Sequence, residues 1–114
     1  MKKLILVLLL IATPAWAQNN RNTINGSVTV ATGNTYQVLL TANQRWSVTI
    51  QNNNTTDSCW IQFGVGVTAA NATKAKSIVL LPGGSWQRYY PYVPSDEIEG
   101  TCTTTSDTIY VDTQ

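Results

Sequence analysis

Short runs of alternating apolar and polar residues, each closed by turn residues, constrain this chain more than any other feature. Trp46, Val48 and Ile50 share one side of a run, and Ser47, Thr49 and Gln51 share the other. That period of two is a strand with one buried face. The same pattern recurs at Val28 and Val30, at Tyr36, Val38 and Leu40, at Cys59, Ile61 and Phe63, and at Ile109 and Val111. Compact apolar or mixed runs at Ser77 to Leu81, Ser85 to Tyr90 and Glu97 to Cys102 add three more candidates. Turn signals separate them: Gly33-Asn34, Asn43-Gln44, the polar 52–57 segment, Pro82-Gly83-Gly84, and Thr103 to Asp107. About eight short strands at this spacing predict an all-β fold, a small antiparallel β-sandwich of jelly-roll or immunoglobulin-like type. No run sustains a helical period. The segment from Gly64 to Lys76 is the expected long loop, with a brief helical turn within Ala69 to Ala75. Trp46 to Gln51 and Cys59 to Gly64 read together as a hairpin, and Pro91 to Asp96 as edge or loop.

The domain begins after a leader. Met1-Lys2-Lys3 is followed by nine apolar residues, Leu4 to Ala12, and then by an Ala-x-Ala ending at Ala17. Basic start, apolar middle and small residues at the cleavage position are the layout of a secretory signal peptide. The apolar run falls short of the roughly 20 residues that span a membrane. The expected organisation is therefore a cleaved signal peptide at 1–17, a flexible leader at 18–23 and one β-sandwich domain at 24–114, without a membrane association after cleavage. Loss of Lys2 and Lys3 leaves five basic residues against six acidic ones.

Several function classes are excluded by what is missing. The chain has no histidine, so neither Ser-His-Asp nor Cys-His catalysis is available. Its two cysteines cannot make a four-thiolate metal centre. Near-neutral charge offers no footprint for nucleic acid. No metal, cofactor or catalytic residue is expected. Export and a small core instead make Cys59 and Cys102 a disulfide candidate.

Three residue groups remain. Asp96, Glu97 and Glu99 form the one acidic cluster, and Glu97 with Glu99 would share a strand side as the paired carboxylates of a glycosidase do. A small β domain rarely has the cleft such an enzyme needs, so the bland reading is a solvated strand end. Asn52, Asn53, Asn54 and Asp57 could offer oxygens to calcium together with Asp96, but at no recognised loop spacing. The aromatics say more: Trp86, Tyr89, Tyr90 and Tyr92 lie within seven residues, and Trp60 points away from the Cys59, Ile61 and Phe63 side. Exposed Trp and Tyr anchor protein contacts or stack on sugars. Trp60, Trp86, Tyr89, Tyr90 and Tyr92 are thus the candidate binding residues, with core packing the competing role for Trp60 and Trp86.

The order of these segments resembles small β-sandwich proteins of tailed-phage virion modules. The resemblance rests on the Ile50-Gln51-Asn52 strand, Ile61-Gln62-Phe63-Gly64, the Leu81-Pro82-Gly83-Gly84-Ser85 turn and Val93-Pro94-Ser95-Asp96, within residues 28–112. It implies a decoration, fibre or tail-appended role without enzymatic activity. The signal peptide and the cysteine pair depart from that family. They point to an exported phage or prophage product, or to a bacterial surface module on the same fold, located in the periplasm, at the cell surface or outside the cell, if not on the virion. The expected function is to present a binding surface to a protein partner or to copies of itself. The alternative is a secreted carbohydrate-binding module that stacks sugars on the same aromatics.

Overall fold

A computed structural model describes residues 24–114, and the expected signal peptide and leader lie outside the described residues. Eight strands form: β1 (Ile24–Thr29), β2 (Gln37–Leu40), β3 (Ser47–Asn52), β4 (Cys59–Phe63), β5 (Ile78–Leu80), β6 (Ser85–Tyr89), β7 (Ile98–Cys102) and β8 (Thr108–Thr113). They make two four-stranded sheets, ordered β1-β8-β3-β6 and β2-β7-β4-β5, with every pairing antiparallel. β1 pairs with β8, β2 with β7, β3 with β6, and β4 with β5. The chain is therefore one long hairpin rolled into a sandwich, which is the jelly-roll arrangement. The expected all-β sandwich is present, and the strand order selects the jelly roll over the immunoglobulin-like alternative.

The core lies between the sheets. Val48 and Ile50 of β3, Ile109 and Val111 of β8, Cys59 and Ile61 of β4, and Ile98 and Cys102 of β7 are all buried. The period of two in the sequence supplies this face directly. Phe63 and Trp86 close one margin of the core, their rings 5.0 Å apart. Cys59 and Cys102 are directly opposed on β4 and β7 and form the expected disulfide.

The connections correct the sequence in three places. β3 and β4 are not a hairpin, because they belong to different sheets and the 52–57 turn carries the chain across the core. An antiparallel hairpin and a sheet-to-sheet arch both follow alternating strands with a polar turn, so the local pattern does not separate them. In β2, Tyr36, Val38 and Leu40 do not keep one side: the register shifts between Val38 and Leu40, leaving Val38 exposed and both Leu39 and Leu40 in the core. A bulge inserts one residue and flips the alternation. Trp46 lies just before β3, and 42% of it is exposed, so it does not share the fate of Val48 and Ile50.

Gly100 sits in the centre of β7 because Leu39 packs where a side chain would be; an added Cβ would come within 2.8 Å of Leu39 Cγ. Gly100→Ala is expected to destabilise the fold by about 1–3 kcal/mol through overpacking, measured by denaturant unfolding. Reduction of the disulfide, which links residues 43 apart, is expected to lower unfolding stability by about 3 kcal/mol, read from the shift in urea midpoint with and without reductant.

Candidate functional site

Two surfaces gather the chemistry-bearing side chains. The first lies where β3 begins and β6 ends. Ser47 is paired with Tyr89, and beyond that last pair the Tyr90 amide donates to the Trp46 carbonyl at 2.7 Å. This bond brings the Trp46 and Tyr90 rings to 4.4 Å, inclined by 38°. Tyr89 folds into a turn whose carbonyl accepts from the Tyr92 amide, and a cis Tyr90–Pro91 peptide lies within it. Tyr89, Tyr90 and Tyr92 are exposed, Tyr92 by 82%.

A buried cation braces this end. The Arg45 guanidinium donates to the carbonyls of Thr41, Pro94 and Asp96 and so ties the loop before β3 to the loop before β7. Burial lowers its pKa, partly opposed by the charge of Asp96. Replacing it leaves three carbonyls without their donor. Arg45→Met is expected to cost about 2 kcal/mol of unfolding stability, measured by thermal and denaturant unfolding.

Of the expected binding residues, Tyr90 packs on Trp46, while Tyr89 and Tyr92 are exposed in the adjoining turn, with the Tyr89 hydroxyl directed to Gln87. Trp86 is not with them: it is 7% exposed, packs on Phe63 and is overlain by Arg88. Its indole N–H has no acceptor. Alternation places Trp86 opposite Ile50, which faces the core, and that pairing decides its side. The signal for Trp46 was its position at the very start of the run, one residue beyond the Asn43-Gln44 turn, where the core side of a strand runs out past the edge of the core.

The second surface is the outer face of the β2-β7-β4-β5 sheet. Trp60 and Gln62 of β4 stand beside Thr101 and Glu99 of β7, and Val38 of β2 lies beyond Glu99. The β4–β5 connection, the tip of the long hairpin, folds back toward this face as a strap from Gly64 to Ser77. It holds a 3-10 turn at Lys74–Lys76, rather than a turn spread over Ala69 to Ala75. The Thr73 amide donates to Gln62 Oε1 at 2.8 Å, and Lys74 Nζ lies 3.8 Å from the Trp60 ring centroid and 2.5 Å from Asn34 Oδ1. Tyr36 reaches across β7 and β4 to Ser77, its hydroxyl 2.5 Å from the serine oxygen. Burial raises the Tyr36 pKa, and the Ser77 bond partly offsets this. Trp60 is thus half-buried on the outside of the sandwich, beneath a lysine and not beneath the second sheet.

Glu99 is neither a solvated strand end nor open to a sugar. It has no exposed surface, and neither carboxylate oxygen meets an amide, hydroxyl or cationic donor. β7 is an inner strand, so a residue on its outer side has neighbours on both flanks. Burial, then the hydrogen bond and charge of Glu97, push the Glu99 carboxyl up to about 7. Two ionised carboxylates can only accept; the Glu97–Glu99 hydrogen bond exists when one of them carries a proton.

Of the asparagines weighed as calcium ligands, Asn52 and Asn54 serve the fold, and Asn53 is exposed. Asn52 Nδ2 donates to the carbonyls of Asp57 and Leu80, and Asn52 Oδ1 accepts from both nitrogens of Asn54. Asn54 also exchanges hydrogen bonds with the Thr108 backbone and donates toward Cys59 Sγ at 3.4 Å. Among the described residues, no three acidic or cysteine side chains cluster as metal ligands, and no helix is long and apolar enough to cross a membrane. No family model matches the chain, no curated protein matches it, and no solved structure matches it.

Proposed function

We propose that this chain is an exported, non-enzymatic interaction protein of phage or prophage type, which presents one end of a jelly roll to a protein partner or to copies of itself. The observation that carries this reading is the Trp46–Tyr90 ring pair, with Tyr89 and Tyr92 exposed in the turn beside it, at one end of the β3–β6 pair and outside the core. Large rings held outside a core by backbone bonds supply contact area at low entropic cost. The braced loops add preorganisation, which reduces the cost of binding. The jelly-roll order is consistent with the resemblance to virion modules, since capsid domains use it; the fold by itself does not assign the role. The disulfide fits an oxidising compartment.

A second reading has its own support. Lectins also use jelly rolls, and the exposed tyrosines could stack on pyranose rings. Purified virions and envelope fractions, examined by mass spectrometry, are expected to contain the protein bound to a partner or to itself. Trp46→Ala and Tyr92→Ala are each expected to weaken that association by about 30-fold, measured by sedimentation or calorimetry. A monomer free in the periplasm that binds a glycan array through the same rings would replace the first reading with the second.

A further inference from the structure

We infer that the Gly64–Ser77 strap is a proton-locked cover: it closes over the outer face of β4 and β7 while the Glu97–Glu99 pair holds a proton, and it lifts from Trp60 when that proton is lost. This inference is independent of the aromatic end and does not rest on the function proposed above.

The geometry begins with Glu99. A carboxyl with no exposed surface and no amide, hydroxyl or cationic donor at either oxygen is tolerable when neutral and costly when ionised. It lies on the outer side of its sheet, not between the two sheets, beside the Gln62 side chain to which the strap is tied. The strap is held at Gln62, the residue directly paired with Glu99. Gln62 Oε1 accepts from the Thr73 amide at 2.8 Å and lies 3.5 Å from Ser77 Oγ, which also meets the Tyr36 hydroxyl. Moving Gln62 to admit water to Glu99 therefore disturbs the strap's own anchors.

The surrounding charges do not neutralise Glu99. Glu97, on the same strand, repels a second negative charge. β4 contributes Trp60 and Gln62, and β5 contributes Val79; none of these titrates as an acid or base. β2 carries Val38 opposite Glu99, and before that strand lies Tyr36, whose raised pKa keeps it neutral. The strap carries Lys74, whose ammonium is placed on the Trp60 ring and Asn34, and Lys76, which is exposed. Arg45 is bound to backbone carbonyls at the other loops.

The sign follows from a folded-state value raised above the ordinary carboxyl value. The closed strap binds the proton more tightly than the open one. Closure is therefore strongest below the ordinary value of 4.5, weakens as pH rises, and is lost by the time pH passes about 7. Lifting the strap would hydrate Glu99, free Lys74 from the indole and expose the face of Trp60.

The test is hydrogen exchange of the full chain, resolved by residue and corrected for the intrinsic pH dependence of exchange. Protection of the Thr73 amide is expected to fall about tenfold or more between about pH 5 and about pH 8, while β8 amides hold theirs. Glu99→Gln is expected to remove this pH dependence. Glu97→Gln, which removes the like charge and keeps the strap's contacts, is expected to move its midpoint to lower pH, so the test stands even where Glu99→Gln folds poorly. Protection at Thr73 that is flat across this range, or that falls in parallel with β8, overturns the inference, as does an unmoved midpoint in Glu97→Gln.

Discussion

The structure depends on two asparagines that fasten the sheets together at the arch between β3 and β4. Asn52 ends β3 and donates across the core to the Leu80 carbonyl at the end of β5. Asn54, two residues on, bonds the Thr108 backbone at the start of β8 and reaches the sulfurs of the disulfide at 3.4 and 3.9 Å. Each amide therefore serves both sheets. The Asn52 backbone also exchanges bonds with Gly83 and Gly84, so the turn before β6 is fixed from the same point. Side-chain amides satisfied this completely, that of Asn52 buried and that of Asn54 part-buried, define one arrangement, because any slip of register would leave several polar groups without partners.

The opposite end is organised on different lines. There Arg45 collects carbonyls from two loops, and the rings of Trp46 and Tyr90 lie outside the core. One end of the sandwich is closed by buried amides and a covalent link. The other carries exposed aromatic surface on a charged internal brace. This division lets a small domain combine rigidity at one end with exposed apolar rings at the other. Binding surfaces need a scaffold whose own polar groups are already occupied.

Much of the fold was legible because alternation is a local property. The buried positions of β3, β8 and the first half of β4 follow from a period of two, and the export-linked cysteines suggested their own pairing. What was not legible is non-local. Whether the polar segment after Asn52 turns back or crosses over depends on β8, more than 50 residues later. The bulge at Val38 depends on β7, and the burial of Trp86 depends on its facing Ile50. Glu99 was misread for the same reason: an acid in a strand near a proline-rich loop looks solvated until the strand proves to be an inner one. Trp60 fell between the two readings, outside the core yet covered, because the strap that covers it has little apolar pattern.

Rolling one long hairpin into a sandwich also sets the order in which the molecule can be completed. The Ile24 amide bonds the Thr113 side chain, 89 residues away, and β8 lies between β1 and β3 in its sheet. The last strand made is thus an interior strand, and without it β1 has no neighbour and β3 is paired on one side alone. A chain that emerges from its amino end can close the β4–β5 tip early, but β1 has no partner until β8 has formed. Contact order of this kind slows folding.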